Sequence, residues 1–321
     1  MTFTHLRGSI LADPRHYQIA VLASLLIYGV FGLDFEIGPG RAISILAVAL
    51  STQYVCTRLW GLPRFDPRSA LISGLSLCLL VRTNSAALAL AAAVIAVSSK
   101  FLIQFNRKHL FNPTHIAIVS LMAMTGQVWV SPGQWGNIAF FAFLMACLGG
   151  LVVNRASRSD VTYAFMAFYM GLVFGRSMWL GEPLTIPLHR LQNGALLLFT
   201  FFMISDPRTT PNSRTGRITF AFLVACGAWY IQFRLFRTNG PLWALAICSL
   251  TVPVIDWLLP ATRYEWSTAT RAFSRHRHPH GNPLTEVVYE TTRTVDRSPD
   301  DRGRLEQPVA SRVLRLLRGQ G

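Results

Sequence analysis

The sequence contains few charged residues and almost no lysine. Only 14% of its 321 residues are Asp, Glu, Lys or Arg, against roughly 25% in an ordinary soluble domain. Lysine occurs only at Lys100 and Lys108, so the formal charge of +15 comes almost entirely from arginine. Together with 51% hydrophobic residues, this composition excludes a disordered chain and argues against a soluble globular enzyme.

Motifs for metals and nucleotides are also missing. The five cysteines all lie in apolar stretches and none is spaced CxxC, so no disulfide framework, zinc site or cysteine-ligated cluster is predicted. The three histidines in Arg275–His280 are expected to belong to a solvated basic tail. There is no Walker loop, Rossmann fingerprint or nucleophile triad. We expect no metal, and no nucleic acid because the arginines mostly flank apolar stretches.

Long apolar stretches are abundant, for example Ala86–Val97 and Ile138–Val153. A membrane-spanning helix needs about 17–25 apolar residues, so the sequence predicts an all-α polytopic membrane protein. We expect about ten transmembrane helices, and prolines lie between them or at their edges. The candidate spans are 17–33, 41–57, 69–82, 84–104, 114–130, 137–154, 162–180, 188–205, 217–236 and 241–259.

The distribution of basic residues predicts the orientation. The even-numbered connections between spans carry ten basic residues and the odd-numbered ones five. This bias predicts that both termini lie on the cytoplasmic side of the membrane, and we expect a bacterial inner membrane. We expect a cytoplasmic segment 1–16, a transmembrane domain 17–260 with halves 17–130 and 137–259, and a basic tail 261–321. Val309–Arg318 suits a short amphipathic helix on an anionic membrane, although a frayed tail is equally plausible. Membrane lipid is therefore an expected partner.

Two turns hint at an internal duplication. Asn112-Pro113 and Asp206-Pro207 each follow an apolar span and lie 94 residues apart, as do Arg82 and Arg176. Two halves of five spans would be inverted relative to each other. The 94-residue offset covers four spans, however, which would preserve orientation. The sequence does not decide whether these matches come from a true repeat or from chance.

The same two turns are the main candidate for a ligand site. Asn or Asp before Pro favours a turn, and exposed N–H groups at helix starts attract anions. Each turn either only caps a helix or forms half of a cofactor site. The candidate cofactor-binding residues are Arg82, Asn112, Thr114, Arg176, Asn193, Asp206, Thr209 and Thr210. No catalytic residue is predicted.

Several segments resemble a known family. Met203–Arg217, Thr251–Trp257 and the stretch from Lys100 to Pro113 resemble the RnfD proteins of the Rnf electron-transport complex. They are also similar to the NqrB proteins of the sodium-translocating NADH:quinone reductase. Within that superfamily, Gly181–Pro187 and Leu191–Pro211 resemble the short enediyne biosynthesis protein UnbU group, as does Tyr264–Trp266.

The resemblance implies two inverted five-helix repeats and a flavin that transfers electrons within a multi-component complex. Members carry FMN on the last Thr of a [Ser/Thr]-x-Ala-Thr motif between the fifth and sixth helices. Here that connection, Ser131–Asn137, has no Thr. The motif's letters occur only at Ser267–Thr270, in the tail. Covalent FMN is therefore not expected, and a non-covalent flavin, FMN or riboflavin, is the cofactor to test.

Three functions stay open at this point. The leading one is an integral membrane, RnfD-like protein involved in electron transfer, with protein partners in a redox or biosynthetic complex. The first alternative is a small-solute channel or transporter, because the same repeat architecture makes pores. The second is a non-catalytic membrane scaffold for a biosynthetic partner.

Overall fold

The computed structural model describes residues 13–106, 108–131, 148–191 and 193–264, and these are mostly helical. Residues 148–155 are also α-helical. The labelled helices are α1 Pro14–Gly32, α2 Pro39–Leu59, α3 Pro67–Leu80, α4 Ala86–Leu102, α5 Pro113–Thr125, α6 Ser159–Leu180, α7 Thr185–Leu191, α8 Gly194–Leu198, α9 Arg214–Phe233, α10 Gly240–Ser249 and α11 Val252–Leu258. A π-helical turn, Phe199–Met203, continues α8, and strands β1 Gln104–Phe105 and β2 Lys108–His109 form an antiparallel hairpin.

The helices begin where a short polar side chain caps the first turn. Asp13, Asp66 and Asn112 each precede a proline, and each accepts a hydrogen bond from a backbone N–H of the helix that follows. Ser85 and Ser213 cap α4 and α9 in the same manner. Proline suits the first helical position because its missing N–H would have no partner there.

Two described helices, α2 and α9, are long and apolar enough to cross a membrane. The pair α10–α11 adds a third if it counts as one span bent by 52°. Shorter apolar helices, among them α3, α4 and α5, fill the bundle. The structure therefore confirms a helical bundle of apolar segments, and the ten crossings stay a prediction.

The predicted spans differ from the helices mainly at breaks. The span expected at 188–205 is divided into α7, α8 and the π-helical turn. The span expected at 114–130 stops at Thr125, because Gly126 has the left-handed φ of 64°. Beyond it, Trp129 pairs by backbone hydrogen bonds with Arg82. Most of the span expected at 137–154 lies outside the described residues.

The core forms between pairs of neighbouring helices. α2 packs against α3 and α4, α4 against α5, α6 against α9, and α9 against α10. The contact between α9 and α10 depends on Gly240: a Cβ atom there would lie 2.6 Å from the carbonyl oxygen of Ala228. Glycine is therefore required where these two backbones meet.

Most of the described ion pairs lie at one end of the bundle. Arg15 at the start of α1 pairs with Asp66 at the start of α3. Arg217 in the first turn of α9 contacts Asp160 in the first turn of α6. At the end of α11, Asp256 pairs with Lys108 of the hairpin. We call this the charged end of the bundle.

The 94-residue spacing does not relate equivalent elements. α5 starts directly after Asn112, whereas the helix that follows Asp206 begins only at Arg214. A different spacing recurs in the structure. His115 and Leu242, which contact each other, are 127 residues apart. The cap pairs Asp66 and Asn193, Ser85 and Ser213, and Asn112 and Asn239 have that spacing to within one position.

Candidate functional site

The two Asx-Pro turns meet through their side chains. Asn112 Nδ2 donates a hydrogen bond to Asp206 Oδ2 at 3.1 Å. The other oxygen of each side chain serves its own turn, because Asn112 Oδ1 accepts from the His115 N–H and Asp206 Oδ1 from the Arg208 N–H. This arrangement confirms that the turns approach each other. It also fixes the orientation of the Asn112 amide, since only its oxygen can accept from His115.

A cavity of about 260 Å³ opens beside this contact, and we call it the central cavity. It lies near the charged end, between α1, α3, the start of α5 and the segment that follows the π-helical turn. Its polar lining comprises Arg15, Gln18, Ser69, Ser73, Ser76, His109, Asn112, Thr114, Ser205, Asp206 and Arg208. Its apolar lining includes Ile72, Val152, Val153, Phe201, Phe202 and Met203. The cavity thus combines hydrogen-bonding groups with apolar walls.

A tripeptide that the sequence reasoning missed recurs at this cavity. Asp-Pro-Arg occurs at 13–15, 66–68 and 206–208. In each copy the aspartate accepts a hydrogen bond from the arginine N–H two residues on. Arg15 and Arg208 of the outer copies line the cavity. The repeated tripeptide was the signal in the sequence that could have identified these two residues.

The first two copies are locked together by reciprocal ion pairs. Arg15 contacts both Asp13 and Asp66 at 2.7 Å, and Arg68 contacts the same two carboxylates at 2.7 and 2.8 Å. Burial acts to raise the pKa of both carboxyls, but hydrogen bonds and charge from the arginines outweigh it. The net pKa of Asp13 and of Asp66 lies below 3.8. We call these four residues the Asp–Arg ring.

Lys100 supports the cavity wall from behind. Its side chain is only 5% exposed, and its Nζ donates to the Ser69 carbonyl oxygen at 2.7 Å and to Ser69 Oγ at 2.9 Å. Ser69 lines the central cavity. The buried ammonium therefore fixes the first turn of α3, which forms one wall of the site.

His109 closes another side of the cavity and is partly buried in the hairpin. Its Nδ1 atom has no hydrogen-bond partner among the described residues. Burial, together with the positive charges of Arg208 and Lys100, lowers the pKa of His109 to about 4. At neutral pH the imidazole is therefore uncharged.

Of the eight predicted site residues, Asn112, Thr114 and Asp206 line the central cavity. Thr209 does not, and its hydroxyl donates back to the Asp206 carbonyl oxygen. Thr210 is fully buried, with no described partner for its Oγ1 atom. Neither threonine lines the central cavity, and their assignment as cofactor-binding residues stays a prediction.

Neither predicted arginine reaches the central cavity. Arg82 donates to the carbonyl oxygens of Val81 and Cys78 and lies over the Phe35 ring. Arg176 pairs with Glu182 at 3.0 Å near the end of α6, away from the charged end. Arg82 follows the end of α3, whereas Arg176 lies within α6, so the two arginines do not occupy matching elements. Their role as cofactor-binding residues stays a prediction.

Asn193 lines a second cavity of about 450 Å³. Leu80, at the far end of α3, also lines it, so this cavity lies toward the end of the bundle opposite the charged one. A hydrogen bond from the Tyr169 hydroxyl to Gln232 Oε1, 2.7 Å long, forms part of its wall. Met203 lines both this cavity and the central one.

Two described helices, or three if the bent pair counts as one span, are long and apolar enough to cross a membrane, and a polar cavity lies among them, as in a membrane protein. The chain matches the NQR2, RnfD, RnfE family over residues 83–265. This match covers more than half of the sequence, and the chain belongs to that family. The matched region contains both Asx-Pro turns and the helices α4 to α11.

Named relatives agree with the family assignment. A protein of Alcanivorax borkumensis, named as a subunit of an ion-translocating oxidoreductase complex, is 28% identical over 162 residues, which are 49% of this chain and 45% of that protein. The proteins of the same name from Cronobacter sakazakii and Klebsiella pneumoniae are 30% and 32% identical over 139 and 128 residues. These cover 42% and 39% of this chain, and 36% and 34% of those relatives. The matches thus span less than half the length of each relative.

Proposed function

We propose that this chain is an electron-transfer subunit of a membrane redox complex and holds a non-covalent flavin in the central cavity. The observation that carries the proposal is the contact between Asn112 and Asp206. It brings two distant turns of the family-matched region together at the wall of a polar cavity. The names of the relatives, which are subunits of an ion-translocating oxidoreductase complex, support the redox role and protein partners.

The lining fits the chemistry of a flavin ring. The Ser69 hydroxyl accepts from Lys100 Nζ and keeps its hydrogen for a ring carbonyl. The hydroxyls of Ser73 and Thr114 donate to backbone carbonyl oxygens and offer acceptor lone pairs for a ring N–H. Phe201 and Ile72 provide apolar contact. The cavity of about 260 Å³ is slightly smaller than the usual ligand-pocket range of about 300–1,000 Å³, so it would take the flavin ring system rather than the whole cofactor.

The charges around the cavity suit a cofactor that gains negative charge on reduction. Arg208 places positive charge in the lining beside Asp206, while Arg15 is already paired with Asp13 and Asp66. A bound flavin would supply the one- and two-electron chemistry, and the protein would set its position and electrostatics. Lys100 holds Ser69 in place behind the wall.

Binding without a covalent bond follows from the sequence of the connection 131–137. That segment has no threonine to accept FMN, and Thr270 lies in the tail. The flavin should therefore leave the protein on acid precipitation. We predict FMN or riboflavin rather than a flavin ester.

We further propose the architecture that the family implies, namely two inverted five-helix repeats. Both termini would lie on the cytoplasmic side of a bacterial inner membrane. The recurrence of three helix caps at a spacing of 127 residues supports two halves. Paired contacts support them too, because α2 packs on α4 as α6 packs on α9. Closeness to the UnbU group stays a prediction.

A small-solute channel is the second candidate, because Met203 is the described side chain that lines both cavities. A path between the two ends would have to pass this side chain. The test is the flux of a small solute into vesicles that contain the protein. A flux that Met203→Ala increases, and that empty vesicles lack, would favour this candidate.

The deciding experiment is an absorbance spectrum of detergent-purified protein before and after acid precipitation. The proposal predicts flavin bands that move entirely into the supernatant. A folded, pure protein without flavin bands would contradict it, and a fluorescent flavin band on the denatured polypeptide would contradict the non-covalent assignment.

A further inference from the structure

A second polar feature lies at the charged end, outside the central cavity. It is a groove of about 560 Å³ between the β1–β2 hairpin and α11, and we call it the hairpin groove. Its apolar lining comprises Phe105, Leu110, Val252, Pro253, Val254 and Trp257, and its charged lining comprises Lys108, Asp256 and Arg263. The proposed flavin chemistry uses none of these groups.

The apolar side of the groove faces outward. Phe105 is 52% exposed, Val254 55% and Trp257 78%. In a membrane protein, exposed apolar and aromatic side chains beside helix ends lie at the level of the lipid headgroups. The groove therefore opens toward lipid rather than toward another part of the described bundle.

The polar side of the groove carries excess positive charge. The carboxylate of Asp256 is already used twice, since it pairs with Lys108 Nζ at 2.7 Å and accepts from the Asn212 N–H at 2.7 Å. Arg263, which is exposed, gives one guanidinium N–H to the Asn106 carbonyl oxygen. An arginine has five N–H donors in a planar fork that matches phosphate, so this contact leaves Arg263 able to bind an anion.

Charges of both signs surround Lys108. Burial lowers the pKa of Lys108 and Asp256 acts against it, while the positive charges of Arg158 and Arg263 repel the ammonium and lower the pKa further. An anion that entered the groove would relieve this repulsion.

We propose that the hairpin groove binds one anionic phospholipid, with the phosphate on Arg263 and an acyl chain along Val254 and Trp257. A water-soluble anion would leave the apolar wall uncovered, and a neutral lipid would leave the positive charge unpaired. The lipid would join the hairpin to α11 at the point where the transmembrane domain ends. The groove shares His109 with the wall of the central cavity, but the proposed lipid contacts lie at Arg263, Val254 and Trp257 and do not depend on a bound flavin.

The test uses the full-length protein in detergent, with binding measured by native mass spectrometry and by the shift in melting temperature. Phosphatidylglycerol should bind and raise the melting temperature, while phosphatidylcholine at the same concentration should give little of either effect. Arg263→Gln should weaken phosphatidylglycerol binding about tenfold, the loss of one charge-assisted contact. The matched control is Arg237→Gln, which removes an exposed arginine away from the groove and should change nothing.

Further arms separate the possible occupants. Glycerol phosphate, which carries the headgroup chemistry without acyl chains, should not reproduce the shift, and Val254→Asp should abolish phosphatidylglycerol binding. Equal effects of the two phospholipids, a full shift with glycerol phosphate, or unchanged binding in Arg263→Gln would overturn the proposal. Flavin content measured in the same samples should be unaffected by Arg263→Gln, so failure here is distinguishable from failure of the flavin proposal.

Discussion

Asn112 and Asp206, 94 residues apart, are joined by a hydrogen bond that only one arrangement of donors and acceptors permits. The Asn112 oxygen is occupied by the His115 N–H and one Asp206 oxygen by the Arg208 N–H. The link therefore needs one amide and one carboxylate at these two positions, so that an N–H donor faces an oxygen acceptor. Exchanging the two residue types should preserve it, whereas changing one alone should not.

The first prediction follows from this geometry. Asp206→Asn places two amide NH₂ groups against each other, and a buried donor without a partner costs about 1–3 kcal/mol. We expect that loss in unfolding free energy, measured in detergent by thermal or denaturant unfolding. A pure helix cap would lose roughly 1 kcal/mol or less, because Asn still offers a capping oxygen.

The exchange variant Asn112→Asp with Asp206→Asn is the control. It restores one donor facing one acceptor, so it should recover most of the lost stability. Equal stability of Asp206→Asn and wild type would contradict the assigned hydrogen bond. Failure of the exchange variant to recover would show that the negative charge at 206 itself is required.

The second prediction concerns the Asp–Arg ring at low pH. The folded-state pKa values of Asp13 and Asp66 lie below 3.8, the value for the free side chain. The stability that the ring contributes is therefore complete above pH 3.8 and is lost as pH falls through the folded-state values. Arg15→Gln should remove much of this acid sensitivity and lower stability at neutral pH. If Arg15→Gln lost as much stability between pH 5 and 3 as wild type does, the role of the ring would be contradicted.

The third prediction concerns His109 at mildly acidic pH. Its pKa is lowered from 6.5 to about 4 by burial, so the unfolded chain binds more protons between these values. Stability should fall as pH is lowered from 6.5 toward 4, by on the order of 2 kcal/mol. His109→Gln should flatten this dependence, and the exposed His189→Gln should leave it unchanged. The same slope in all three proteins would refute the assignment.

The fourth prediction tests the contact between α9 and α10. Gly240→Ala would put a Cβ atom 2.6 Å from the Ala228 carbonyl oxygen, and we expect a cost of about 1–3 kcal/mol. Gly171→Ala is the matched control, because a Cβ atom there meets nothing within 4 Å. Comparable melting temperatures for the two variants would show that α9 and α10 can move apart without loss of stability.

The sequence predicted the helical segments well because apolar stretches and prolines are local signals. The start of α5 at Pro113 and of α9 at Arg214 lie within a few residues of expectation. The break inside 188–205 was missed although Asn193 marks the start of α8. The part that follows, 194–204, is almost continuously apolar, and hydropathy alone does not distinguish a continuous helix from a π-helical turn.

The candidate site was predicted only in part. Asn112 and Asp206 were found because Asx-Pro turns are visible in a sequence. Arg82 and Arg176 were chosen because they share the 94-residue spacing of the two turns, and that spacing does not connect equivalent helices. The spacing of about 127 residues links single cap positions that lie in otherwise different sequence, namely Asp66 and Asn193, Ser85 and Ser213, and Asn112 and Asn239. Such a repeat has a weak sequence signal, since any short polar side chain can cap a helix.

The central claim is that the central cavity holds a flavin without a covalent bond. The flavin content of two cavity-filling variants tests it most directly. Ser73→Leu places a larger side chain in the central cavity, and Ala195→Leu does the same in the second cavity. Wild type and Ala195→Leu should each release flavin into acid, while Ser73→Leu should purify folded and without it. Flavin retained in Ser73→Leu, or absent from folded wild type, would contradict the assignment.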